Sequence, residues 1–363
     1  MRKHILFLMA MLGGTSILAG TIADAGDTYP ATVSSCHAEE GGDTLTVALT
    51  GDIMMGTTYP RPMLPPSDGA LLFSDARSIL RSADIAAGNL EGALCDSGET
   101  RKKVSQSVYA FRMPERYASL LADAGYDFVS MANNHAHDFG DAGVISTEKA
   151  LDGAGIKYAG LHGRATAAYI ERGSVTYGFC AFGFSPYTQS LQDTANVRTV
   201  VENLRANADI VIVSFHGGAE GAASSHLPDS TETFLGENRG DLRAFAKLCV
   251  DCGADIVYGH GPHVPRCVEL YRGRLIAYSL GNFCTPYGIN LSGVSGMAPI
   301  LCARISHDGR FLGGKIYSMK QSRGTGPRHD ATSAAARRIK ALTDEDAGGG
   351  GLTIYSDGRI AVR

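Results

Sequence analysis

The sequence predicts an α/β protein built on more than one sheet, and three observations carry that prediction. From Leu45 onward, β-rich runs alternate with segments of helical periodicity. Five of those runs end in polar or glycine residues, as buried strands do where they enter loops. Hairpin-like pairs of runs lie among them, which suggests two sheets rather than one parallel sheet.

Composition is consistent with this. The 363 residues suit one large domain or two small ones and are enough for a sizeable core. Apolar residues make up 44% and charged residues 19%, as in a globular chain. A net charge of −4 implies neither nucleic acid nor an anionic membrane surface as partner.

Taken in order, Arg2 and Lys3 precede an apolar stretch from Ile5 to Leu12, and Ala23-Asp24-Ala25 fits a small-x-small cleavage site. Residues 1–25 are therefore expected to be a cleavable signal peptide, with export to the periplasm or cell surface. Gly13-Gly14-Thr15-Ser16 interrupts the apolar run, so an uncleaved anchor is the alternative. Residues 26–43 are polar and poorly patterned, a linker.

LTVALTGD, ADIAAGNLEG, YDFVSMANNH, ADIVIVSFHGG and ADIVYGHGPH then follow as buried strands. PERYASLLADAG and DLRAFAKLCVDCG space apolar residues by three and four and stop at glycine, as amphipathic helices do. AYIERGSVTYGFCAFG, RCVELYRGRLIAYSLGNF and PILCARISHDGRFLGGKIYSM each hold two β-rich runs around a glycine-containing turn. Beyond about residue 320, QSRGTGPRHD reads as loop, Ser333 to Leu342 as a short helix, GGGG as a turn and LTIYSDGRIAV as a closing hairpin. Eight cysteines permit disulfides in an exported chain. Cys249 and Cys252 have redox or zinc spacing, but no second pair follows, so packing or a structural disulfide is preferred.

The chemistry clusters at strand ends: Asp52; Asn89 and Glu91; Asn133, Asn134, His135 and His137; His216 and Glu220; His260 and His263. Ligands of α/β proteins bind outside the carboxyl ends of strands, so five such loops would converge on one crevice. Carboxylate, imidazole and amide oxygen together suit one or two divalent ions such as manganese, zinc or iron. A bound ion would activate water and polarise a phosphoryl or carbonyl oxygen, and a nearby histidine would protonate the leaving group. Taken singly, Asp52, Asn89 and Asn134 read more readily as turn formers or caps, and His216 as a core histidine. Five such endings in one chain favour the site. Arg112 in YAFRMPE would clasp an anion or anchor a loop, and Asn282 in YSLGNF would line the pocket or end a strand.

GDIMMG, NLEG, ANNHAHDFG, HGGAE, GHGPHV and YSLGNF, in that order, resemble the bacterial capsule synthesis family of CapA-like, poly-γ-glutamate-associated proteins, which are similar to calcineurin-like metallophosphatases. The resemblance covers roughly residues 45 to 320. It implies a four-layer α/β/β/α sandwich over residues 44–320, with metal-binding loops at one end and residues 321–363 packed on it as a helix and hairpin. Carried over by motif, Asp52, Glu91, Asn134, His216, His260 and His263 would hold metal, and His135 would act as general acid. Asp138 would orient His135, and Arg112, Asn89 and Asn282 would bind substrate.

Met54, Gly218 and Gly261 depart from the pattern, where a histidine, an aromatic and a histidine are usual. The family implies work on a capsule or poly-γ-glutamate-type envelope polymer through phosphoester or amide chemistry, on the anionic polymer or a small phosphoester or γ-glutamyl substrate, with polymer synthase membrane proteins as partners. A non-catalytic polymer-binding, export or assembly factor with a degraded metal site is the alternative, and a thiol oxidoreductase using Cys249 and Cys252 a weaker third.

Overall fold

A recurring aspartate organises the strands. Asp84, Asp127, Asp209 and Asp255 each stand just before a buried strand, at Ile85–Leu90, Phe128–Ser130, Ile210–His216 and Ile256–His260. Each carboxylate accepts a backbone N–H near the start of the neighbouring strand: from Thr46 (2.7 Å), Ala86 (2.9 Å), Thr176 (2.8 Å) and Val211 (2.8 Å). A donor at the entry of a parallel ladder would otherwise go unpaired, so the repeated residue sets where adjacent strands begin.

The computed structural model describes residues 44–100, 102 and 109–363; the expected signal peptide and linker lie outside them. Two large sheets form. In the first, the order is Leu352–Ile354, Arg359–Val362, Phe311–Tyr317, Ile300–Ser306, Thr44–Ile53, Ile85–Leu90, Phe128–Ser130 and Lys157–Ala159, with Asn282–Cys284 pairing the end of Thr44–Ile53. In the second it is Val268–Tyr271, Arg274–Ala277, Ile256–His260, Ile210–His216, Val175–Gly183 and Ala167–Arg172. The first is parallel from Thr44–Ile53 out to Lys157–Ala159 and antiparallel on its other side, and the second has a parallel centre with an antiparallel hairpin at each margin.

Alternation along the strands gives the layers. Val47, Leu49, Ile85, Ala87 and Phe128 share one buried cluster with Phe179, Ile210, Ile212, Ile256 and Tyr258, so the two sheets pack face to face. Ala48, Ala86 and Val129 point the other way, against Leu121 and Ala124 of the helix Ala118–Ala124 and Val144 and Leu151 of Gly140–Gly153. On the far side, Val211, Val213 and Val257 meet Val201 of the helix Thr194–Asn207 and Phe245 and Cys249 of Leu242–Asp251. Helix, sheet, sheet, helix is the layering that the resemblance implied.

The closing helix runs from Ala334 to Asp346, past the expected Leu342, and its Ala336 and Ile339 enter the inter-sheet core. Cys249 and Cys252 are both buried free thiols, so their role is packing; burial raises both thiol pKa values and makes them inert. Among the described residues no helix is long and apolar enough to cross a membrane.

Candidate metal centre

Register brings the strand ends together. Asp52 pairs with Asn89 on one side and Asn282 on the other, and Asn89 pairs with Ser130. In the second sheet His260 lies beside His216. The register shifts on both sides of Asp52, an irregularity that re-aims a side chain.

Asp52 and Glu91 are fully enclosed, and each has an oxygen that lies within 4.8 Å of a ring nitrogen of His263, the three atoms forming one mutual group. Asp52 Oδ1 accepts Asn89 Nδ2 at 2.8 Å, and Asp52 Oδ2 faces His263 Nδ1 at 2.9 Å. Glu91 Oε1 is 3.7 Å from His263 Nε2 and 4.0 Å from His135 Nε2, too long for hydrogen bonds. His263 holds its place with φ +57°, a left-handed backbone that non-glycine residues seldom adopt.

Both Glu91 oxygens, Asn134 Oδ1 and His216 Nε2 are buried without a hydrogen-bond partner. Orphaned polar atoms of this kind are costly unless something satisfies them. A divalent cation satisfies carboxylate, amide oxygen and imidazole at once, so the residues fit one.

Charge regulation follows the same geometry. Burial raises the Glu91 carboxyl well above its usual range and the charge of Asp52 adds to it. Burial also opposes ionisation of Asp52, but the hydrogen bond and charge of His263 outweigh it and hold the carboxyl low. For His263, burial is outweighed by Glu91 and Asp52, which push the imidazolium up to about 10. Burial keeps His216, His260 and His135 neutral, pulling each below the ordinary imidazole range.

His135 belongs to a second group. Its Nδ1 is 2.8 Å from Asp138 Oδ2, which also accepts the Phe111 N–H at 2.7 Å. The other nitrogen, Nε2, faces Glu91. Asp138 thus fixes the ring by its Nδ1–H and leaves Nε2 toward the acidic cluster as the nitrogen able to take up and pass on a proton.

Other expected residues stand elsewhere. His260 Nε2 faces the Thr50 carbonyl of the other sheet at 3.0 Å, and Nδ1 lies 3.5 Å from the Ser214 hydroxyl and 3.3 Å from the Phe215 carbonyl, so the ring pins two sheets and both nitrogens already have partners. Asn89 is enclosed, bonding Asp52 and Asn133, and Asn282 donates to the carbonyls of His263 and Ser295; neither presents itself to a substrate. Arg112 binds Thr58 Oγ1 at 2.9 Å and the Gly98 carbonyl at 2.7 Å and lies over Tyr59 and Phe139, which makes it a loop anchor. His137 stacks on Tyr187 at 3.8 Å and bonds Asp141.

One residue of the site, Lys102, is not among those the sequence singles out, and Asn133 is singled out without a role. Lys102 pairs with Asp138 and donates to the Asn134 carbonyl at 3.0 Å, and Asn133 Oδ1 accepts the His135 N–H. The basic run Arg101-Lys102-Lys103 was the available signal for the first.

Residues 46–287 match the model of the family described as bacterial capsule synthesis protein PGA_cap. The chain belongs to this family. It is 26% identical over 263 residues to the capsule biosynthesis protein CapA of Bacillus anthracis, covering 67% of this chain and 60% of that protein. It is 27% identical over 261 residues to the PGA biosynthesis protein CapA of Bacillus subtilis (strain 168), covering 68% and 64%. The chain thus spans less than two thirds of the length of these two relatives. A putative 5'-nucleotidase from Staphylococcus aureus is similar over 83% of this chain and 58% of its own, with 15% identity and a TM-score of 0.45.

Within the PGA_cap match, the departures from the usual motifs have structural causes. Met54 is fully buried in the outer core, where it packs instead of offering an imidazole. Gly261 has φ +113°, and a β-carbon there would collide with the Gly217 carbonyl. At Gly218, with φ +84°, a β-carbon would stand 2.9 Å from Leu242 and 3.1 Å from Arg266. The two ligand loops are packed too closely for side chains at these positions.

Proposed function

We propose that this PGA_cap protein is an exported, metal-dependent hydrolase that acts in the synthesis or processing of a capsule or poly-γ-glutamate-type polymer. One observation carries the reading: the buried Asp52–Glu91–His263 group, flanked by orphaned Asn134 and His216 atoms, lies beside a His135–Asp138 dyad. Asp52, Glu91, Asn134, His216 and His263 hold a divalent ion, which supplies Lewis acidity and an activated water when bound. His135, its Nδ1–H held by Asp138, would take up at Nε2 the proton given up by the attacking water and pass it to the leaving group. The burial of Asp52 and Glu91 keeps bulk water from these charges and strengthens every interaction among them.

The test is a metal-reconstituted screen across phosphoesters, γ-glutamyl amides and peptidoglycan fragments. Hydrolysis of one class is expected, with Asp52→Asn or His135→Ala lowering kcat by about a hundredfold or more. Unchanged turnover in both variants would refute the assignment. A second reading, a polymer-binding or assembly factor, is favoured by Met54 and Gly261, which remove imidazoles from the usual set. It predicts metal uptake below one equivalent and no turnover.

A further inference from the structure

Arg266 is the largest side chain in the molecule that is completely enclosed among the described residues, and its guanidinium is 0% exposed beside the 6%-exposed Glu232. The two form a bidentate pair, Nη1 to Oε1 and Nη2 to Oε2, both at 2.7 Å. Enclosing such a pair costs several kcal/mol of desolvation per ion, and apolar residues of similar volume often serve stability as well or better. A structural role alone therefore gives little reason for a buried ion pair at this point.

Its connections indicate what it does. Arg266 follows His263 by three positions, and its Nε donates to the Ser224 carbonyl at 2.9 Å. Glu232 Oε2 accepts the Ala219 N–H at 2.9 Å, three residues after His216. The pair lies directly under Gly218, where a β-carbon would stand 3.1 Å from Arg266 Nη1 and 3.2 Å from Glu232 Oε1. Alongside it, the Gly217 N–H donates to His260 O and the Gly221 N–H to Pro262 O, both at 2.9 Å. All these bonds join the loop after His216 to the loop that carries His263.

We propose that Arg266 and Glu232 are positioning residues for the metal centre: the pair locks the His216 loop to the His263 loop and so sets the separation of two imidazoles that approach the ion from different strands. The proposal rests on the metal-binding reading above. The geometry explains the use of arginine, because only a planar fork engages both carboxylate oxygens and a third carbonyl at once. It also explains Gly218, where a β-carbon would crowd the pair, and Gly261, where one would meet the facing Gly217 carbonyl.

The test measures Mn²⁺ affinity by equilibrium dialysis, and folding by thermal unfolding of the metal-free protein. Arg266→Met/Glu232→Gln removes both charges together and leaves an amide oxygen for the Ala219 N–H. This variant is expected to unfold within a few degrees of wild type but to bind Mn²⁺ at least about tenfold more weakly, the range seen when groups supporting metal ligands are lost. Arg266→Lys, which keeps the charge without the fork, is expected to show the same loss and guards against failure of the double variant to fold. Wild-type affinity in either folded variant overturns the inference and leaves the metal reading intact. No Mn²⁺ uptake by wild type overturns both.

Discussion

At the scale of single residues, the centre is defined by protons as much as by positions. Glu91 is held protonated into a range where carboxylates normally ionise, and His263 keeps its proton up to about 10. Metal ligation requires both in their deprotonated forms, so binding must release protons. His263 is raised to about 10, so its competing proton is bound at neutral pH and leaves as pH rises, and the raised Glu91 carboxyl shifts in the same direction; affinity therefore increases with pH toward 10. Competition titrations with Mn²⁺ between about pH 6.5 and 8.5 should show affinity rising by up to about tenfold per pH unit for each proton displaced. A flat profile would mean that neither group ligates. Gly261 gives a second prediction at this scale. Gly261→His restores the residue usual in the family motif, yet its β-carbon meets the Gly217 carbonyl at a positive φ. The variant should lose about 3 kcal/mol in chemical denaturation and gain no metal equivalent.

At the scale of elements, the aspartates before the strands have separable weights. Asp209 is exposed and caps Thr176 alone, so Asp209→Ala should cost about 1 kcal/mol or less. Asp255 is 1% exposed, accepts from Val211 and pairs with Arg205 and Arg274. Asp255→Ala should cost about 3 kcal/mol, because it strands partly buried cations as well as a backbone donor. Urea denaturation of the two variants would rank them, and equal costs would argue against this account. These elements were legible in outline. Three of the five strand runs begin Ala-Asp-Ile, and the helices end at glycines where periodicity said they would, Gly125 with φ +102° closing Ala118–Ala124. The carboxylate bridge from one strand to its neighbour was not legible, because it depends on which strands are adjacent.

At the scale of the whole molecule, the last hairpin completes the first sheet, and Leu352, Ile354 and Ile360 are buried in the inter-sheet core. Deleting residues 352–363 removes three buried aliphatic side chains at about 1.5–3 kcal/mol each, a large share of the total stability of a domain. The shortened chain should unfold at a markedly lower temperature or collect in the insoluble fraction; an unchanged midpoint would show the hairpin to be peripheral. The sequence by itself determined the kinds and order of elements, the α/β class and the clustering of donors at strand ends, since these depend on local periodicity and residue chemistry. Only the tertiary structure decided which donors meet. Asp52, Glu91 and His263 come within ligand distance through parallel register and an irregular strand end, whereas His260, one loop residue away in type, is turned to backbone carbonyls. Side-chain direction and loop closure are set by packing between distant segments, and the buried Arg266–Glu232 pair is part of that packing. No local pattern encodes such distances.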